Sequence, residues 1–404
     1  MPSYIYKARD ASGKAVRGVM GAAAKEELID KLHKMGYMAT YVNEVSSGIN
    51  IESLFDRLRM ISTEDMIVFN VQLSNMINAG INILTSLAVL KNQIENKKLR
   101  DVVDAISRSV EGGDIFSQAL SRHPRVFPSI FVSMVKAGEA SGQLDTILTR
   151  YAVFAEQQQD LRQKIQSALF YPLILIIAGI IVTLFIVTFI IPQFTEIFVK
   201  AGVQLPVPTL ILYKIGIGIK QFWPIIILVV ILVYLSARAY VNTEAGKLRF
   251  DRFKLKLPII GSLHRKAAIS RFTRTLGTLV ASGVPILESL NIVKEAIGNE
   301  VLARVIENMR NSVEKGERLA EPLKISEEFP LDTVQMIAVG EETGNLDTML
   351  NKISDFYDMY LGYTIKKLTA IIEPLFLLII GSLVAFIMAS MLLPIFDMMK
   401  ILRH

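Results

Sequence analysis

The chain of 404 residues contains no cysteine. That absence excludes structural disulfides, thiolate metal sites and thiol catalysis. Its four histidines, His33, His123, His264 and His404, are scattered without the spacing of metal ligands. There is no GxxxxGK[ST] loop: Gly13-Lys14-Ala15 and Gly246-Lys247-Leu248 lack the hydroxyl that would hold a magnesium ion. No GxSxG elbow occurs. These absences point away from an enzyme, with no cofactor and no metal expected. The opening Met1-Pro2-Ser3-Tyr4-Ile5-Tyr6-Lys7 lacks an apolar core, so no cleavable signal peptide is expected there. Nothing indicates nucleic acid as a partner.

What is scarce locally is charge. The composition is 51% hydrophobic with mean hydropathy +0.41, high for a soluble protein. The apolar residues concentrate in three nearly uncharged runs, about Leu169–Ile191, Phe222–Ala239 and Leu368–Leu393. Each has the length a helix needs to cross a bilayer. A buried core helix is the plain reading of one such run, but three of this length with basic flanks argue against it.

The chain is also written twice. Residues from about Phe69 to Phe194 recur from about Phe272 to Phe396. Gly80 and Gly283 fall in register, as do Leu84 with Leu287 and Leu87 with Leu290. After a one-residue slip, Gly138-Glu139-Ala140-Ser141-Gly142-Gln143-Leu144-Asp145 aligns with Gly340-Glu341-Glu342-Thr343-Gly344-Asn345-Leu346-Asp347. A period this long marks a duplicated domain rather than a solenoid unit.

Charge and repeat parity give one topology. Lysine and arginine cluster before the first run (Arg150, Arg162, Lys164), after the second (Arg238, Lys247, Arg249, Arg252, Lys254, Lys256) and before the third (Lys366, Lys367). The segment between the first two carries only Lys200, Lys214 and Lys220. The positive-inside rule then places both soluble regions in the cytoplasm. The basic tail, Lys400 to His404, is a mild counterexample. Two units of soluble domain plus exit helix need one return helix between them, and the second run, which has no repeat partner, fits that role. The expectation is a multi-pass membrane protein with its N-terminus cytoplasmic and its C-terminus outside.

The predicted fold class is mainly α, with two repeated cytoplasmic helical bundles, three transmembrane helices and a small N-terminal α/β module. Residues 1–45 form that module: a hairpin around Asp10-Ala11-Ser12-Gly13, a helix over Ala22–Lys34 stopped by Gly36, and a strand over Tyr37–Val45. Residues 46–62 are a linker, amphipathic near Ile51–Met60. Residues 63–168 are the first bundle, beginning with Thr63 as helix cap and Glu64 and Asp65 in the first turn. Breaks at Ala79-Gly80, Asn96, Gly112-Gly113, His123-Pro124 and Gly138–Gly142 divide it into about six helices. The last starts near Leu144 and runs into the membrane through Tyr171-Pro172. Residues 169–192 are the first span, 193–221 a short external loop and 222–240 the second span. Residues 241–367 are the second bundle, with breaks at Ser282-Gly283, Gly298-Asn299, Gly316, Phe329-Pro330 and Gly340–Gly344. Residues 368–394 are the third span and 395–404 the tail.

The doubled unit, with its AG-x-I-x-L-x-S-L-like openings and GE-x-x-G-x-L-D turns, resembles the inner-membrane platform family of type II secretion and type IV pilus systems. Further marks agree: Tyr4-Ile5-Tyr6-Lys7-Ala8-Arg9-Asp10 followed by Gly13; Ile191-Pro192-Gln193-Phe194 with Phe198, Gly202, Leu205-Pro206 and Pro208-Thr209; and Leu393-Pro394-Ile395-Phe396-Asp397. The resemblance covers essentially the whole chain. It implies a non-catalytic platform, in a homo-oligomer, whose cytoplasmic domains engage a hexameric secretion ATPase. Its membrane helices would pass pilins or pseudopilins to a filament alongside other inner-membrane assembly proteins. A membrane transporter built from duplicated units is the rival class, because repeats are common there. A signalling receptor fits less well, since nearly all soluble mass is placed in the cytoplasm.

Eleven residues stand out as candidates. Gly138, Glu139, Gly142 and Leu144 match Gly340, Glu341, Gly344 and Leu346. The glycines supply freedom for a sharp turn, and each glutamate either caps a helix end or faces the ATPase or an adjacent protomer. Glu373 sits just inside the third run, where an ionisable group is costly and usually has a partner. Either it is solvated or paired with Lys366 or Lys367, or it meets a polar group on a pilin helix or another platform helix. Pro172 and Pro374 occupy matched positions near the cytoplasmic ends of their spans, where each removes a backbone donor.

Overall fold

The computed structural model describes residues 3–9, 15–22, 25–44, 60–200, 205–258 and 260–401. The hairpin turn at Asp10–Gly13 and the linker up to residue 59 lie outside them. Strands β1 (Ser3–Arg9), β2 (Ala15–Gly21) and β3 (Met38–Glu44) form an antiparallel sheet in the order β2-β1-β3. Helix α1 (Lys25–Lys34) adds Leu28 and Leu32 to a small core with Tyr6, Ala8, Ala22 and Val42.

The first repeat unit runs through α2 (Thr63–Asn78), α3 (Ile83–Gln93), α4 (Lys97–Glu111), α5 (Phe116–Ser121), α6 (Ser129–Ser141) and α7 (Leu144–Phe185). After α7 come a π-helical turn at Ile186–Ile190 and α8 (Ile191–Lys200). Helix α9 (Val207–Val241) and helix α10 (Glu244–Lys256) connect to the second unit. That unit repeats the pattern as α11 (Ile260–Ala281), α12 (Ile286–Ala296), α13 (Glu300–Glu314), α14 (Ala320–Ser326), α15 (Leu331–Thr343) and α16 (Leu346–Ile401).

The helix boundaries follow local chemistry in both copies. Gly80 and Gly283, at φ +82° and +76°, turn the chain after α2 and α11. Asn96 accepts from the amides of Lys98 and Leu99, and its counterpart Asn299 from Val301 and Leu302. The first cap differs from expectation. Ser62, not Thr63, is the N-cap, and it forms a reciprocal capping box with Asp65 at 3.0 Å each way. Asp65 can reach back to the Ser62 amide because it stands three positions into the helix.

The expected external loop at 193–221 is mostly helical. The sequence reading stops the first span at Pro192 because proline cannot donate to the previous turn. The structure widens the backbone to a π turn over 186–190, immediately before Pro192, and the helix then continues to Lys200. A π turn changes the local hydrogen-bond pairing where proline would disrupt an α ladder. Pro206 then caps α9 with proline at its start, and α9 is helical 15 residues before Phe222. The third span likewise passes through Pro394 to Ile401, rather than ending in a separate tail at 395.

Helices long and apolar enough to cross a membrane lie within Leu144–Lys200, Val207–Val241 and Leu346–Phe396. Beneath them, the two bundles share one buried hydrophobic cluster that includes Phe69, Phe127 and Phe131 of the first copy and Phe272, Leu290 and Ile337 of the second. Polar bonds cross the same boundary: Ser133 donates to Glu288 at 2.8 Å, Ser129 to Glu295 at 3.2 Å, and Arg150 to the Ala281 carbonyl.

Candidate functional site

The matched turns bring together residues that sequence alone leaves as separate marks. Gly142 and Gly344 end α6 and α15 in the left-handed conformation, φ +69° and +73°. The other glycine pair has a different job from the one expected. Gly138 and Gly340 are helical and buried, so they supply no turn. A Cβ on Gly138 would stand 2.9 Å from Ile147 and 3.3 Å from the Leu144 Cα; on Gly340, 3.0 Å from Met349 and 3.2 Å from the Leu346 Cα. They let each helix close onto the first turn of the next, where Leu144 and Leu346 pack against the core.

Both glutamates reach across to the preceding short helix. Glu139 accepts from the Phe116 and Ser117 amides at 2.7 and 3.0 Å. Glu341 accepts from the Leu319 amide through both oxygens, at 2.9 and 3.0 Å. Neither α5 nor α14 has a side-chain cap of its own. Each therefore receives a carboxylate at its positive end from the helix that follows it. The turn beyond, residues 140–143 and 342–345, is exposed.

In the membrane half, the three spanning helices meet at the end remote from the bundles. Val187, Ile191, Leu212 and Ile387 form a small buried cluster, and Thr209 donates to the Ser390 carbonyl. Gly216 lies so close to the π turn that a Cβ would fall 2.2 Å from the Val187 carbonyl oxygen. Gly179 plays a similar part against Phe376 and Ile380, at 2.9 and 3.0 Å. Helix α9 then stands apart. Its buried residues, Thr209, Leu212 and Gly216, all lie in its first three turns, and its most apolar stretch has none.

Pro172 and Pro374 lie inside uninterrupted helices, Pro172 buried and Pro374 exposed. Glu373 is exposed on α16, and among the described residues it has no hydrogen bond or ion pair, with Lys366 and Lys367 included. The candidates thus form two matched turns in the bundles and one unpaired carboxylate at the base of the third span.

A polar cluster in the second bundle has no counterpart in the first. Arg274 is buried and pairs with Asp355 at 2.8 Å and Asp358 at 2.7 Å, and Ser270 donates to Asp358. In the repeat register Arg274 falls on Val71. A charged residue among the buried positions of α11, where the first copy has valine, is the signal that sequence reading passed over. Pro224, inside α9, is a further intrahelical proline and has no repeat partner.

The comparisons with known proteins match this duplicated layout. The family model described as type II secretion system protein F matches twice, at residues 69–192 and 272–394. A model of that protein's N-terminal domain matches residues 1–43. The chain belongs to the type II secretion system protein F family. Its relatives include a type IV pilus assembly protein PilC of Thermus thermophilus, 38% identical over 98% of both chains. Another PilC, from Myxococcus xanthus, is 34% identical over 98% of this chain and 94% of its own. A type II secretion system protein F of Xanthomonas campestris pv. campestris is 32% identical over 98% and 99%. Membership makes this a multi-pass assembly protein of pilus or secretion machinery, and the duplicated match coincides with the two helical units.

Proposed function

We propose that the chain is a non-catalytic inner-membrane platform for type IV pilus assembly. It couples a cytoplasmic hexameric ATPase to the insertion of pilin subunits into the filament. The observation that carries this reading is similarity along the full length to proteins named for pilus assembly, at 38% and 34% identity. Type II secretion pseudopilus assembly is the second reading, favoured by relatives at 32% and 30%.

The geometry suggests how the work is divided. Both bundles lie on the cytoplasmic side, N-terminus in and C-terminus out, a reading supported by the basic flanks. The shared core and the bonds from Ser129, Ser133 and Arg150 let the bundles move as one unit when a motor engages either. The exposed turn rims at residues 140–143 and 342–345 offer similar faces to a multi-subunit ATPase. In the membrane, α9 leaves the other two spans after Gly216, and Glu373 stands unpaired. A cleft of this kind suits a hydrophobic pilin helix, with Glu373 meeting a polar group on it.

Affinity purification from native membranes in mild detergent tests the motor coupling. Recovery of a secretion ATPase, lost on deletion of a cytoplasmic bundle, is the expected result. Reproducible absence of any ATPase after crosslinking in intact cells would refute the coupling. For the membrane cleft, Glu373→Gln is expected to lower pilus number at normal protein level, and wild-type assembly would sink that role.

A further inference from the structure

A cavity of about 650 Å³ opens between the two bundles, walled by α7 on one side and by α11 and α16 on the other. It belongs to no part of the platform reading above. Its α7 wall runs from Tyr151 to Gln166, and the first apolar run begins three residues later at Leu169. The cavity therefore lies at the cytoplasmic edge of the membrane.

Its charged groups do not balance. Four line it: Arg162, Arg271, Arg274 and Asp358. Arg274 is already shared by two carboxylates, Asp358 at 2.7 Å and Asp355 at 2.8 Å. Arg271 is held only by backbone carbonyls at the end of α12, Ile297 at 3.0 Å and Ala296 at 3.5 Å. With no carboxylate beside it, burial pushes its pKa below the ordinary arginine value. Arg162 is exposed and has no bonded partner among the described residues. Among the described residues, neither Arg162 nor Arg271 has a carboxylate partner.

Polar groups in the wall are also unmatched. Thr275 is 1% exposed and its hydroxyl has no partner. The Gln159 carbonyl oxygen is buried and unpaired. Tyr151 is 6% exposed, with no hydrogen bond to its hydroxyl among the described residues, and burial raises its pKa. Buried polar atoms usually find partners, so several orphans beside one basic cavity mark a wall with unmet hydrogen-bonding capacity. In the repeat register Val68 and Gln72 of the first copy stand where Arg271 and Thr275 stand in the second. The site is thus specific to the junction of unlike halves.

We propose that this cavity binds a phosphate ester, with Arg162 and Arg271 holding the phosphate. Guanidinium is the side chain best matched to phosphate oxygens. The ester is carried either by an anionic phospholipid headgroup from the adjoining leaflet or by a soluble phosphorylated molecule, and basic pockets at this depth are used for lipid headgroups.

The test uses the full-length chain. In the lipid arm, protein in nanodiscs containing phosphatidylglycerol is re-extracted in mild detergent, and retained lipid is quantified by mass spectrometry. In the soluble arm, detergent-purified protein is dialysed against radiolabelled glycerol 3-phosphate. Arg162→Gln is the principal variant, because an exposed side chain without bonded partners can be neutralised without unfolding the bundle. Arg271→Gln is the second, and Arg318→Gln, on an exposed ion pair elsewhere, is the control. The expected result is saturable retention in one arm, reduced roughly tenfold by Arg162→Gln and unchanged by the control, the loss of one charged contact. Retention in the lipid arm assigns a headgroup, and in the dialysis arm a soluble ligand. Equal retention by wild type and Arg162→Gln in both arms, or none by wild type in either, overturns the proposal.

Discussion

Replacing Glu139 with alanine should loosen α5 and leave its repeat counterpart untouched. The carboxylate accepts from the Phe116 and Ser117 amides at 2.7 and 3.0 Å. Hydrogen bonds to a charged group contribute about 1.5–3 kcal/mol each when buried. The site is half-exposed, so water replaces part of what is lost, and about 2 kcal/mol for the pair is the reasonable figure. Loss of an ordinary N-cap falls in the same range, about 0.5–2 kcal/mol. A change of that size in local opening accelerates amide exchange roughly thirtyfold. Hydrogen-exchange mass spectrometry on the full chain in nanodiscs reads it directly, with peptides across 112–124 as the probe and those across 314–326 as the internal control. Glu139→Gln keeps one acceptor and loses the charge, so its acceleration should be smaller. Unchanged protection of Phe116 and Ser117 in Glu139→Ala would refute the cross-helix cap. Lost assembly in Glu139→Gln with α5 still protected would show that the carboxylate acts on a partner instead.

Three other perturbations follow from the same geometry. Gly216→Val places a Cβ 2.2 Å from a backbone carbonyl that cannot rotate away, and overpacking of this kind costs about 1–3 kcal/mol; a lower Tm in detergent is expected, and an unchanged one would refute the close approach. Arg274→Met leaves Asp358 without its cation in a half-buried site, and a loss of about 3 kcal/mol should appear as a lower urea midpoint for the second bundle, with Arg274→Lys recovering part of it. Gly142→Ala strains a left-handed residue by about 1 kcal/mol, whereas Gly138→Ala meets the Ile147 Cγ1 at 2.9 Å with ordinary φ; a double-mutant cycle by thermal unfolding with Ile147→Ala, which removes that Cγ1, should show favourable coupling only for the second.

Much of this protein is decided by short-range rules that a linear reading can apply. Spans follow from runs of about 20 apolar residues, and the breaks at Gly80, Asn96 and Gly113 follow from backbone preference and capping chemistry. The duplication is visible because both copies keep those same local solutions. Where a neighbour from elsewhere in the chain intervenes, local rules name the wrong cause. Gly138 and Gly340 read as turn residues, but their surroundings are Ile147 and Met349 of the following helices. Pro192 reads as a stop, but a π turn carries the helix past it. Glu139 is legible as a marked residue, while its partners at Phe116 and Ser117 depend on how α5 packs beside α6. The unbalanced arginines between the bundles belong to neither copy alone. Sequence determined which helices exist and which of them are apolar enough to enter a membrane; only tertiary packing decided which polar groups find partners and which are left facing a cavity, because that depends on distances between residues far apart in the chain.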